Sequence, residues 1–227
     1  MDDHRPLRTF GRIKARALKP RQAGLMETLL PHLAVPEEGE IDPADLMPAS
    51  GPLVLEIGFG GGEHLVAQAL AQPEVRFIGV EPFINGVASC LRHVEESGVQ
   101  NVRLHQGDAR DVIARLPDAS LDRVYILFPD PWPKARHHKR RLIQPDFLGE
   151  LARVMKSGAE VRFATDWANY ASWALEHFTR DPRFAWLGES AADWRAPWPG
   201  HVTTRYEAKK LGDYSPIWLR FVRTGLA

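Results

Sequence analysis

Leu53-Val54-Leu55-Glu56-Ile57-Gly58-Phe59-Gly60-Gly61-Gly62 decides the fold of this chain. Its first five residues, apolar apart from one acid, spell a short buried strand. Four glycines in the next five places allow a tight turn and let a ligand lie against the backbone. A helical pattern then opens at Glu63, so the turn aims backbone amides towards whatever binds there. Taken alone, such a turn also fits a plain strand-to-helix connection, and its neighbours have to decide.

Downstream, the pattern repeats. Strands are expected at 75–80, 101–105, 121–127 and 158–164, and helices at 63–71, 84–96, 109–116, 145–155 and 170–178. Pro145 suits a first helical turn, and Gly98 suits a helix end. Alternating strands and helices imply right-handed crossovers and a mainly parallel sheet covered on both faces. The tail differs: 206–211 and 217–222 read as two strands of a closing hairpin, joined by Gly212-Asp213-Tyr214. The expected organisation is a basic, partly mobile arm over 1–30 with a short helix near 22–30. A weakly packed linker over 31–52 and a single domain over 53–227 follow.

Acids stand at successive strand ends. Glu56 closes the first strand. Glu81 ends the second, about twenty residues beyond the glycines, where an acid commonly accepts ribose hydroxyls. Asp108 follows the third in Gly107-Asp108-Ala109, placed to meet an adenine edge. Asp130 follows the fourth, inside Phe128-Pro129-Asp130-Pro131-Trp132-Pro133-Lys134. Alternate prolines there remove backbone donors and fix φ, and each residue before a proline is pushed towards extended geometry. The segment reads as a stiff arm carrying a carboxylate, an indole and an amine. Any one of these acids can be a helix cap; four on one sheet edge point to a ligand. An acid two residues before the first glycine would repel a pyrophosphate, which argues against a dinucleotide. It suits a cationic ligand such as S-adenosylmethionine.

The chain has 227 residues, 44% of them hydrophobic, enough for one α/β domain. Formal net charge is zero, from 29 basic and 29 acidic residues. Locally the balance breaks: 5–21 is basic without an acid, 134–141 is a second basic cluster, and 37–45 is acidic. Patches of this kind are what a phosphate backbone meets. One cysteine, Cys90, excludes an intramolecular disulfide and fits a reducing compartment. No apolar run reaches membrane-spanning length, and the basic start lacks a signal-peptide core, so a cytoplasmic protein is expected. His137 and His138 have no acid or cysteine at matching spacing, and no metal is expected. All seven tryptophans, beginning with Trp132, lie in the C-terminal half, which suits core packing or base stacking.

Several of these motifs carry a resemblance. Glu56-Ile57-Gly58-Phe59-Gly60, Glu81, Gly107-Asp108-Ala109, the proline arm, Thr165-Asp166 and Thr203-Thr204-Arg205-Tyr206-Glu207 together resemble the bacterial tRNA (guanine-N7-)-methyltransferase family, over about 10–222. The glycine turn is shared by many methyltransferases; the proline arm and the 203–207 segment are more specific. Arg205 and Tyr206 stand where Lys and Phe are often found, keeping charge and aromaticity. The 185–201 loop is not placed by the resemblance. The family implies a Rossmann-like class I methyltransferase fold, α/β, with a mostly parallel seven-stranded sheet, helices on both faces and a C-terminal antiparallel hairpin. It implies methyl transfer from S-adenosylmethionine to N7 of a guanine in the tRNA variable loop, position 46. The implied cofactor site is Glu56, Gly58, Gly60, Glu81, Asp108, Ala109 and Asp130. The implied substrate site is Lys134, Asp166, Thr204, Arg205, Tyr206 and Glu207. tRNA is the expected partner, with no membrane and no metal; a monomer is expected, a dimer being the alternative.

Guanine N7 carries a lone pair and no proton, so no base is needed and the work is positioning. Asp130 is the expected catalytic residue, stabilising charge that develops on the base or gripping its donor edge. Asp166 can bind the N1–H and amino edge of guanine or cap the helix after it. Lys134, Arg136, Lys139, Arg140 and Arg141 are expected to meet phosphates, as is the N-terminal arm. Competing readings are an exocyclic-amine methyltransferase, which carries a differently ordered Asp-Pro-Pro-aromatic motif, and a non-catalytic RNA-binding protein. A dehydrogenase is disfavoured by Glu56.

Overall fold

The computed structural model describes residues 17–47 and 50–226, so most of the expected basic arm lies outside the described residues. Seven strands form one sheet: β1 (Leu53–Ile57), β2 (Arg76–Val80), β3 (Val102–His105), β4 (Leu121–Leu127), β5 (Met155–Thr165), β6 (Phe184–Trp186) and β7 (Ile217–Arg223). Their order is β3-β2-β1-β4-β5-β7-β6. The first five are parallel neighbours, and β7 runs antiparallel between β5 and β6. Helices α1 (Pro20–Thr28), α2 (Leu30–Leu33) and α3 (Pro43–Leu46) precede the sheet. α4 (Glu63–Ala71), α5 (Ile84–Ser97) and α6 (Ala109–Ile113) follow the first three strands. α7 (Pro145–Val154) and α8 (Ala168–Arg180) flank β5, and the one-turn α9 (Ala192–Arg195) and α10 (Arg205–Ala208) lie between β6 and β7. Among the described residues no helix is long and apolar enough to cross a membrane.

Pleating explains why both faces are covered. Alternate side chains of a strand point to opposite faces. Leu53, Leu55 and Ile57 join one apolar core with Val112, Leu148 and Phe178 from α6, α7 and α8. Val54 joins the other with Leu65, Val87 and Leu91 from α4 and α5. Strand order reverses between β1 and β4, and the crevice at that switch point is where open α/β sheets bind ligands.

Two expectations about the fold are corrected. The 31–52 stretch, expected to pack weakly, is pinned: Val35 and Ile41 are buried, with backbone bonds to Leu104 and Arg115. Its few apolar residues close the open end of the core beside β3 and α6. The closing hairpin is also different. Residues 206–211 form no strand, because Thr204 and Glu207 make a reciprocal capping box that starts α10 instead. The antiparallel partners of β7 are β5 and the short β6, as Phe184 pairs with Arg223.

Candidate active site

The glycine turn is built as its composition requires. Gly58, Gly60 and Gly62 have positive φ, and at Gly58 no atom stands within 4 Å of where a Cβ would be. That leaves an open floor for a ligand. At Gly86 a Cβ would lie 2.4 Å from the Gly60 carbonyl oxygen, so α5 presses directly on the turn.

Around this floor the strand-end acids gather. A cavity of about 870 Å³ is lined by Glu56, Gly58, Gly60, Glu81, Asp108, Ala109 and Asp130, and also by Thr204, Arg205 and Tyr206. Glu56 is 1% exposed, and its Oε2 meets His64 Nδ1 at 2.8 Å. Glu81 accepts the Gly60 N–H at 2.8 Å and the Phe83 N–H at 2.9 Å. Burial pushes its pKa up to about 7 despite those amides, with the Asp130 charge adding to the rise. Each oxygen keeps a second lone pair for a ligand hydroxyl. Asp108 caps α6 through the Arg110 N–H at 3.0 Å and pairs with the Arg110 guanidinium. The capping alternative is therefore real at Asp108, alongside its place on the cavity wall.

Asp130 stands at the cavity mouth, where surrounding protein strips enough water to raise its pKa. The proline arm holds it by an unexpected backbone. Phe128 and Trp132, both before prolines, adopt φ of 51° and 42° rather than extended geometry. Packing explains the exception: the Phe128 ring lies 5.4 Å from Tyr206 and 5.9 Å from Trp218, and its N–H bonds Ala164 O. Trp132 lines the cavity with Arg140 stacked 5.0 Å from its ring. Arg141, expected to face phosphates, is 1% exposed. It donates to Pro131 O and Asn169 Oδ1 and lies between Tyr170 and Trp173, so it clamps the arm onto α8. Nothing in a basic run marks which of its members turns inwards.

Not every implied substrate residue reaches the cavity. Lys134 is exposed outside it, leading into a 3₁₀ turn over Ala135–Arg140 that carries Arg136, Lys139 and Arg140. Asp166 is 4% exposed beneath Gly212, with Tyr206 Oη at 3.5 Å. It does not cap α8; the first turn of that helix is met by Asp213, which accepts the Ala168 N–H at 3.0 Å. Glu207 points inwards. Its burial alone would raise its pKa, but hydrogen bonds from His201 and the Thr204 N–H outweigh this and lower it.

A glycine turn at a sheet's switch point, ringed by strand-end carboxylates over a cavity of this size, defines a Rossmann-like methyltransferase. A family model described as "Putative methyltransferase" matches residues 50–219. The tRNA (guanine-N(7)-)-methyltransferase of Caulobacter vibrioides (strain NA1000 / CB15N) is 61% identical over 220 residues, 97% of this chain and 96% of that protein. Its counterpart in Hyphomonas neptunium is 51% identical over 216 residues, 95% and 99% of the two. The crystal structure of TrmN from Thermus thermophilus shares the fold, with a TM-score of 0.53 and 18% identity over 76% of this chain and 44% of that one. The chain belongs to the tRNA (guanine-N7-)-methyltransferase family.

Proposed function

We propose that this chain transfers the methyl group of S-adenosylmethionine to N7 of a guanine in tRNA, and that the guanine is position 46 of the variable loop. One observation carries the reading: a single cavity brings Glu56, Glu81 and Asp108 together with Asp130, Trp132 and Thr204-Arg205-Tyr206. The donor set fits a cationic nucleoside. In this reading Glu81 takes the ribose hydroxyls, Asp108 an adenine edge, and Glu56 the amino group. The open floor at Gly58 admits the ligand against the backbone.

When bound, S-adenosylmethionine supplies an electrophilic methyl on a sulfonium. Guanine N7 needs no deprotonation, so the residues of this chain position, exclude water and balance charge. Asp130, as a carboxylate, offsets positive charge developing on the base or holds its donor edge. Trp132 and Arg140, packed 5.0 Å apart on the cavity wall, give it an indole and a guanidinium of the kind that pack against RNA bases. Lys134, Arg136 and Lys139, all exposed, meet phosphates. The chain works as a monomer in the cytoplasm, a compartment its single, buried Cys90 fits.

The test is transfer of labelled methyl to unmodified tRNA, then nucleoside analysis. We expect 7-methylguanosine, lost when guanine 46 is replaced by adenine. Its absence from the wild-type reaction would refute the activity, and retention on the altered tRNA would refute the position.

A further inference from the structure

The segment 204–207 reaches the cavity with little regular structure of its own, since α10 is one turn long. What holds it is His201. This imidazole is buried, and its Nε2 meets Glu207 Oε2 at 2.9 Å. The same oxygen accepts the Thr204 N–H at 2.9 Å. On its other side the His201 ring lies 5.4 Å from the ring of His64 and 4.5 Å from Trp218. His64 in turn holds Glu56 at 2.8 Å. One helical turn along α4, Gln68 donates to Gly200 O at 2.6 Å. The helix that opens at the glycine turn thus grips the turn from which the substrate-side segment hangs.

Neither histidine lines the cavity. As plain struts, both would be better replaced by apolar side chains, because buried polar rings cost desolvation unless fully bonded. They are not fully bonded: His64 Nε2 and His201 Nδ1 are buried without a partner. Retaining two half-satisfied imidazoles between two carboxylates fits fixing of geometry better than gain of stability.

We propose that His64 and His201 are positioning residues that tie Glu56, which the methyl-transfer reading assigns to the cofactor, to the segment 204–207, which it assigns to tRNA, so that binding of one ligand sets binding of the other. This rests on the methyl-transfer reading of the cavity. Coupling between two ligands is reciprocal and is measured without turnover. The experiment is the Kd of unmodified tRNA with and without saturating S-adenosylhomocysteine, alongside wild-type methyl transfer. In wild type, the nucleoside tightens tRNA binding by about tenfold. In His201→Leu and in His64→Leu that gain falls below about twofold, and His201→Gln restores it, since the Gln amide reaches Glu207 as Nε2 does. Where a Leu variant melts early, His64→Gln and His201→Asn carry the same measurement, since their amides do not reproduce the Nδ1 contact of His64 or the Nε2 contact of His201. Folded variants that keep the full gain, or a wild type with no gain, overturn the proposal. A wild type that binds tRNA cooperatively yet makes no 7-methylguanosine instead overturns the functional reading alone.

Discussion

Glu81 offers the sharpest numerical test of this site. It is 7% exposed, with both oxygens held by backbone amides. Burial moves its pKa from 4.5 to about 7. The folded protein therefore binds this proton more tightly than the unfolded chain does. Stability from this group is full below about 4.5, falls as pH rises to about 7, and is flat beyond. At about 1.4 kcal/mol per pH unit, the folded carboxylate costs about 2.5 kcal/mol more at pH 8 than at pH 5. Glu81→Gln keeps the shape and removes the titration. Urea unfolding of both proteins should show the variant gaining on wild type by about 2–3 kcal/mol between those two pH values. A second readout runs the opposite way. Ribose hydroxyls donate to the ionised carboxylate, so S-adenosylhomocysteine should bind wild type about tenfold more weakly at pH 6 than at pH 8. Parallel stability profiles for the two proteins, or affinity that ignores pH, would refute the argument from burial.

Other perturbations probe the remaining parts. Asp130→Ala should lower kcat by about 10²-fold with cofactor affinity nearly intact, since it removes a charge partner of the transition state; near-normal turnover at saturating tRNA and cofactor contradicts the role. Arg141→Lys loses the fork that reaches Pro131 O and Asn169 together, and should cost about 2 kcal/mol in thermal or urea unfolding; an unchanged midpoint argues that the arm stands without its clamp. Replacing Lys134, Arg136 and Lys139 by Ala should weaken tRNA binding and flatten its salt dependence by about one slope unit per lost phosphate contact. An unaltered slope in filter binding would place the RNA elsewhere.

Much of this architecture was legible because it rests on local signals. Strands β1 to β5 announce themselves as short apolar runs between turns, and a parallel order follows from the helices between them. The strand-end acids were legible for the same reason, being defined by neighbours in sequence. What stayed hidden depends on distant contacts. Residues 206–211 have a strand-like pattern, yet the capping box at Thr204 and Glu207 makes a helical turn the better solution. β6 is three residues long and pairs across some thirty-five positions of chain, beyond the reach of any window. Arg141 reads as one more surface cation until Tyr170 and Trp173 close around it. His64 and His201 lie far apart in sequence, and only the fold brings their rings together.

The proline arm shows why these hidden contacts matter to the chemistry. Left-handed backbone at Phe128 and Trp132 costs on the order of 1–3 kcal/mol at each residue, so something must hold it. Arg141 holds one side through Pro131 O, and the packing of the Phe128 ring against Tyr206 and edge-on to Trp218 holds the other. Asp130 sits between these two anchors. Among the described residues its carboxylate has no hydrogen bond or ion pair of its own. A carboxylate fixed by its backbone rather than by a partner keeps its lone pairs for a ligand; Asp130 is exposed, yet the protein around it has already raised the cost of its charge. An incoming base that brings donor groups or positive charge relieves that cost as it arrives, and relieves it most when its own charge is greatest. Tyr206, which braces the arm, belongs to the segment that His201 and Glu207 fasten from the other side. The strain in the arm and the buried histidines therefore act on the same few ångströms, where cofactor and base must be aligned.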